Sequence, residues 1–395
     1  MTFRSKAGLC VLLSISLPIL TACGGGSAGQ ETEAPTEAVS EAVTAAIAEV
    51  TSDVADASAD YDYAASSAYF PADTLILTAG GLPVYWDEFY YWMMTALGNV
   101  LDYSGVSVIE DWDAVFSIST FMYGEELTYA EFLIRYAADA VIMYRTIENG
   151  FEAAGLTLEE EDKFSQEEFM AYYGIATEAE YEAYLAEQNL TPELLDYIET
   201  VSSKYYALLE SMYGESGETL SDEEALAYAN AQGYIQAKHI LISTVDENGD
   251  AYPDEELAVR RATAEELIQK LAEYTGTDPE GYFDELIAEY SEDPGQGEAG
   301  YLFGSGVMMA SFEAAAGGLS PGEYSGIVET SYGYHIILRT ETDLDRTPLN
   351  ESSTLRYVAA YTRFDSIIGD WQAELETEYE PAYEQLAPAE IFTVD

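Results

Sequence analysis

Two runs of β-branched and aliphatic residues, "YIQAKHILIST" beginning at Tyr234 and "YGYHIILRTE" beginning at Tyr332, constrain this chain more than any other feature. Each reads as a strand, and neither can persist alone, because an unpaired strand leaves both ladder edges and an apolar face in water. Each also carries one of the only two histidines in 395 residues, His239 and His335. Between the two runs the pattern predicts a helix over "PDEELAVRRATAEELIQKLAEYTG" and a shorter one over "PEGYFDELIAEYS". A Gly-rich loop, "EDPGQGEAGYLFGSG", then leads to a short helix, "SFEAAAGG", a turn, "SPGEY", and a strand, "GIVET". Residues 232–342 therefore read as one mixed α/β unit, and the question is whether the two imidazoles meet in one site.

The flanks have a different texture. "TLILTAGGLPVYWDEFYYWMMTALGNVL" opens with a short strand and a Gly-Gly turn, then places aromatic and aliphatic residues at helical spacing from Trp86. "TYAEFLIRYAADAVIMYRTIENG" predicts a helix with a wide apolar face, stopped by Gly150. Later segments repeat a Thr cap followed by acids in the first turn, as in "TEAEYEAYLAEQN" and "TPELLDYIETVSSKYYALLESMYG". Residues 74–229 are expected to form an all-helical lobe. Residues 343–395 contribute "LRYVAAYTRFDSIIGDWQAELETEYE", an amphipathic helix expected to return to that lobe, since alone it would expose its apolar stripe. The 33 tyrosines are core and interface filler, or amphipathic rings that cradle an unfolded chain.

At the N-terminus, "MTFRSKAGLCVLLSISLPILTAC" places Arg4 and Lys6 before an apolar run that is short for a ~30 Å hydrocarbon core. Residues 1–22 read as a secretion signal. Residues 23–73 are rich in Ala, Thr, Ser, Glu and Asp, with few large aliphatic side chains, and read as a flexible acidic linker. Across the chain 14 Lys and Arg face 74 Asp and Glu, a formal net charge of −60. Nucleic acid is excluded as a partner, because phosphate binding needs clustered cations, and an anionic lipid surface would repel the chain.

With the elements in place, residues 232–342 resemble the parvulin-type peptidyl-prolyl isomerase domain in element order and in the phrases "KHIL", "YSEDPG", "GVMMASFEAA" and "LSPGEYSGIVETSYGYHII". "LTAC" resembles a bacterial lipobox, which implies that Cys23 becomes a lipidated first residue of the mature chain. Together these features resemble the PrsA-type extracytoplasmic foldase lipoproteins, relatives of the SurA chaperones. The resemblance implies an α+β fold: an FKBP-like domain over residues 230–342, with a four-stranded antiparallel sheet and surrounding helices, flanked by the helical chaperone lobe.

Carried onto this sequence, the resemblance implies a catalytic group of His239, His335, Asp293 and Thr330, with Met308, Phe312 and Tyr332 binding substrate. The implied activity is noncovalent catalysis of X–Pro rotation in secreted polypeptides, outside the cytoplasmic membrane and tethered to it through Cys23. The alternative is a holdase that uses the domain only to bind peptide. No cofactor or metal is expected, although two histidines and a carboxylate could also compose an iron site. One departure stands out: Gly300, in "EAGYLF", replaces a leucine usual in the family, which implies a shallower proline pocket. The acidic stretch "STVDENGDAYPDEE" offers no phosphate site, so phospho-Ser-Pro substrates are disfavoured.

Overall fold

The computed structural model describes residues 61–394. The signal segment, Cys23 and the linker as far as residue 60 lie outside the described residues. The chain divides into two units, Met1–Leu208 with Ser366–Asp395, and Leu209–Asp365. Among the described residues seven strands run in chain order: β1 (Leu75–Ala79), β2 (Leu82–Tyr85), β3 (Ile235–Ser243), β4 (Tyr301–Phe303), β5 (Val328–Glu329), β6 (Gly333–Arg339) and β7 (Thr377–Tyr379). Among the described residues no helix is long and apolar enough to cross a membrane.

In the first unit the expected strand and Gly-Gly turn form at β1, Gly80 and Gly81, the turn leads into a second strand, β2, that the sequence pattern did not predict, and the strand order is β2-β1-β7. The third strand was not legible as such: β7 comes from the far end of the chain, so the helical lobe also contains a small sheet. Helices Trp86–Ser104 and Tyr129–Ala153 form the centre, where Trp92 and Tyr144 meet with ring centroids 5.1 Å apart. Thr128 and Glu131 close a capping box at the start of the second helix. That helix runs past Gly150, contrary to the expected stop there. A Cβ on Gly150 would lie 2.6 Å from the Trp371 ring, so this glycine is small for packing and does not end the helix.

Arg145 is buried on the same helix and holds Glu88 through both guanidinium nitrogens, at 3.0 and 2.6 Å, while also donating to the Pro83 carbonyl at 2.7 Å. Residues 61–73, expected in the linker, belong to this unit. Asp62 caps helix Tyr63–Ser67, buried Tyr61 accepts from the Ile109 N–H at 2.8 Å, and Trp86 Nε1 donates to the Ser67 carbonyl at 2.8 Å. Aromatic residues supply the buried area that the low aliphatic content had seemed to deny.

The second unit carries the antiparallel sheet β4-β3-β6-β5. Side-chain alternation splits its core in two. Ile240, Ile242, Tyr334, Ile336 and Leu338 face Leu267, Leu271, Phe283 and Leu286 from helices Asp254–Glu273 and Pro279–Tyr290. Ile235, Ala237, Phe303 and Ile337 face Phe312 and Ala316 of helix Ala310–Gly317. The unit is larger than residues 230–342, because both flanks join it. Leu220, Ala225 and Ala229 pack with Leu344, Leu355, Ala359 and Ala360 around Tyr234 and Leu302. Arg356 ties this cluster together through Asp222 at 2.8 Å and Asp345 at 2.6 Å.

Candidate active site

His239 opposes Ile337, and His335 opposes Leu241, so the two histidines are diagonal neighbours on one face of the β3–β6 ladder. On that face both rings are 4% exposed, and their Nδ1 atoms lie 2.9 Å apart. The rings are nearly parallel, with centroids 5.0 Å apart, and the 2% exposed ring of Phe312 stands edge-on to both, at 5.3 and 5.5 Å.

At one end of the pair, His239 Nε2 lies 2.6 Å from Asp293 Oδ2. Asp293 sits in the loop after helix Pro279–Tyr290, and its Oδ1 accepts from the Gly295 N–H at 2.9 Å. At the other end, His335 Nε2 lies 2.7 Å from Thr330 Oγ1, which accepts the Tyr332 N–H at 3.1 Å.

Burial pushes the Asp293 carboxyl up, but the bonds from His239, Gly295 and Tyr301 outweigh it and hold the pKa at about 2. Burial first, and the neighbouring His239 second, push His335 down to about 3. Asp293 is therefore a carboxylate, able only to accept, and His335 is neutral. Because Asp293 can only accept, His239 Nε2 is a donor, and one direction of donation satisfies the whole chain when each ring carries a single proton. Thr330 O–H donates to His335 Nε2, His335 Nδ1–H donates to His239 Nδ1, and His239 Nε2–H donates to Asp293. The direct ring-to-ring bond occupies the nitrogens that a shared metal would need. Among the described residues no group of three His, Cys, Asp or Glu side chains is arranged to hold a metal ion.

Of the residues singled out from the sequence, the fold gathers His239, His335, Asp293, Thr330 and Phe312. Met308 is half-buried against the Phe312 cluster. Tyr332 lies at the rim, with a side chain that is exposed and a backbone that supports Thr330. Gly300 has another role than the one expected. Its backbone is left-handed, at φ +68°, and a Cβ there would lie 2.2 Å from the Ala237 carbonyl oxygen. It is the turn that lets the chain enter β4 against β3, so no side chain fits there and it leaves no gap in a pocket wall.

Two contributors were missed. Tyr301 donates to Asp293 Oδ2 at 2.9 Å. Gln296 accepts the His239 N–H at 2.7 Å and donates to the His239 carbonyl at 2.9 Å. The β3–β4 pairing stops at Ala237, so the Gln296 amide replaces a strand for one residue and fixes the backbone of His239. Nothing local in "DPGQG" announces this.

Residues 239–341 match the family model described as Rotamase, PPIC-type PPIASE domain. The foldase protein PrsA of Geobacillus sp. (strain WCH70) is 34% identical over 163 residues, covering 38% of this chain and 50% of the relative. The foldase protein PrsA of Halalkalibacterium halodurans is 38% identical over 133 residues, covering 32% of this chain and 33% of the relative. The chain thus spans half or less of the length of these two curated relatives. Among solved structures, the crystal structure of PrsA from Bacillus subtilis aligns over 64% of this chain and 88% of its own, with 20% identity and a TM-score of 0.23.

Proposed function

We propose, from the match of residues 239–341 to the PPIC-type rotamase family model, that the chain is a peptidyl-prolyl cis–trans isomerase and chaperone. Its substrates are unfolded or partly folded secreted polypeptides containing X–Pro bonds. It works outside the cytoplasmic membrane, anchored through lipidated Cys23. The foldase relatives support the chaperone half of this reading. The lipobox-like "LTAC" supports the anchor.

An X–Pro bond rotates slowly because amide resonance must be lost, at a barrier of ~20 kcal/mol. No bond needs to form or break. A site that prefers the twisted amide over either planar form by ~4 kcal/mol accelerates rotation about a thousandfold. Phe312 and Met308 offer an apolar wall for the pyrrolidine ring, from which water is excluded. Beside it, the imidazole chain offers fixed dipoles at no reorganisation cost during the twist. Asp293 has both oxygens engaged by three donors, so it serves as the fixed anion that orients His239, and it does not attack the carbonyl.

The observation that carries this reading is the buried 2.9 Å contact between the two Nδ1 atoms, against Phe312 and in line with Asp293. The test is peptide isomerisation by the full chain beside its His239→Ala variant. The expected result is catalysis by the wild type and a loss of at least ~10-fold in kcat/KM for the variant. Equal rates for both, matching the spontaneous reaction, would leave only a holdase.

A further inference from the structure

Tyr301 touches the carboxylate that ends the imidazole chain. It stands on β4 opposite Ala237, two residues before His239 and on the same face of β3. Its ring meets His239 edge-on, with centroids 5.9 Å apart. Its hydroxyl donates at 2.9 Å to Asp293 Oδ2, the same oxygen that receives His239 Nε2–H at 2.6 Å.

We propose that Tyr301 is a positioning residue: by pinning Asp293 Oδ2 to the sheet it determines which nitrogen of His239 carries the proton and, through the Nδ1 contact, which nitrogen of His335 does. The proposal rests on the isomerase reading for its consequence in catalysis, but not for its geometry.

Asp293 is held from two sides. Gly295 N–H binds Oδ1, but it belongs to the same loop, so that bond shapes the loop without fixing it to the sheet. The described bonds that carry the carboxylate across to the sheet are those from His239 and Tyr301. If the tyrosine hydroxyl is removed, His239 becomes the sole anchor on that side, and it is the group whose tautomer has to be set. Tyrosine suits the task because it donates without adding charge. Burial first, and the carboxylate second, push its hydroxyl pKa up, so it remains a donor throughout the working pH range. The titratable groups facing Asp293 are His239 from β3, Tyr301 from β4 and, beyond His239, His335 from β6.

The test is Tyr301→Phe in the full chain, which keeps the ring against His239 and deletes one hydroxyl. Two readouts apply: the pH profile of kcat/KM on a proline peptide, and the imidazole nitrogen spectra that report tautomers. The expected result is an acid limb displaced upward by about one pH unit, roughly a tenfold weaker hold on the charged carboxylate. It is accompanied by mixed tautomers on His239, where the wild type shows Nε2–H alone. A superimposable profile with unchanged tautomers would overturn the proposal.

A wild type without any catalysis would sink the isomerase reading alone, and the tautomer spectra would still decide the role of Tyr301. Should the variant fail to fold, the wild type supplies the answer. Its Tyr301 hydroxyl proton must resist solvent exchange and shift as Asp293 is protonated; a freely exchanging hydroxyl would refute the role.

Discussion

Asp293→Asn is the perturbation whose size follows most directly from the structure. The substitution keeps the shape and removes the charge that His239, Tyr301 and Gly295 hold in place. The folded carboxyl titrates at about 2, against ~3.9 for an unfolded aspartate, and by linkage that difference is worth about 2.6 kcal/mol at pH 7. Discounted because the side chain is 15% exposed, it becomes ~2 kcal/mol. The sign follows from the depressed value. The stabilisation is complete above the unfolded pKa and is lost as pH falls through the folded one, between about pH 5 and pH 2.

All four tryptophans, Trp86, Trp92, Trp112 and Trp371, lie in the first unit, so their fluorescence does not report on this site. Amide hydrogen exchange of the full chain, read on peptides covering β3 and β6, does. At pH 7 those peptides should exchange ~30-fold faster in the variant, and the ratio should shrink steadily towards pH 2.5. A fixed offset from the amide itself would be independent of pH, so the pH-dependent part isolates the carboxylate. A ratio that stays constant from pH 7 to pH 2.5 would refute the electrostatic reasoning.

Gln296→Ala should cost ~1–3 kcal/mol in the exchange stability of β3, because the His239 N–H and C=O lose their described partners together. Gly300→Ala combines a left-handed backbone with a 2.2 Å clash and should destabilise the second unit by more than ~2 kcal/mol, whereas the pocket-wall idea would have it harmless or helpful. His335, held at about 3, should show no change in ring nitrogen shifts between pH 8 and pH 4.5. Because the unfolded ring titrates near 6.5, the unfolded state binds the extra proton, and this burial costs stability as pH falls from about 6.5 towards 3.

The sequence revealed those parts of the fold that local pattern controls. Runs of β-branched and aliphatic residues in "KHILIS" and "YHIILR" predicted β3 and β6, and Thr128 and Thr177 open predicted helices whose starts the structure closes as capping boxes. The meeting of His239 with His335 and Asp293 came from the family resemblance, since no spacing rule joins residues so distant. What remained hidden depends on tertiary contact. Gly150 looks like a helix stop until Trp371 lies across it. β7 pairs with β1 across almost the whole chain, and three residues carry no signal for so remote a partner. The expected linker overlaps the described fold at residues 61–73, because its low aliphatic content hides the aromatic packing that Tyr61, Tyr63, Tyr69 and Phe70 supply. Gln296 and Tyr301 are invisible for a related reason: one imitates a strand with a side chain, and the other acts through a loop it does not belong to.

The most direct test of the account is two-dimensional exchange spectroscopy on a short Ala-Pro peptide with substoichiometric full-length protein. Cross peaks between cis and trans proline signals within about a second of mixing are predicted, where the peptide alone, at tens of seconds per turn, gives none. A spectrum identical to that of the free peptide would contradict the claim that this histidine pair sits in a working prolyl site.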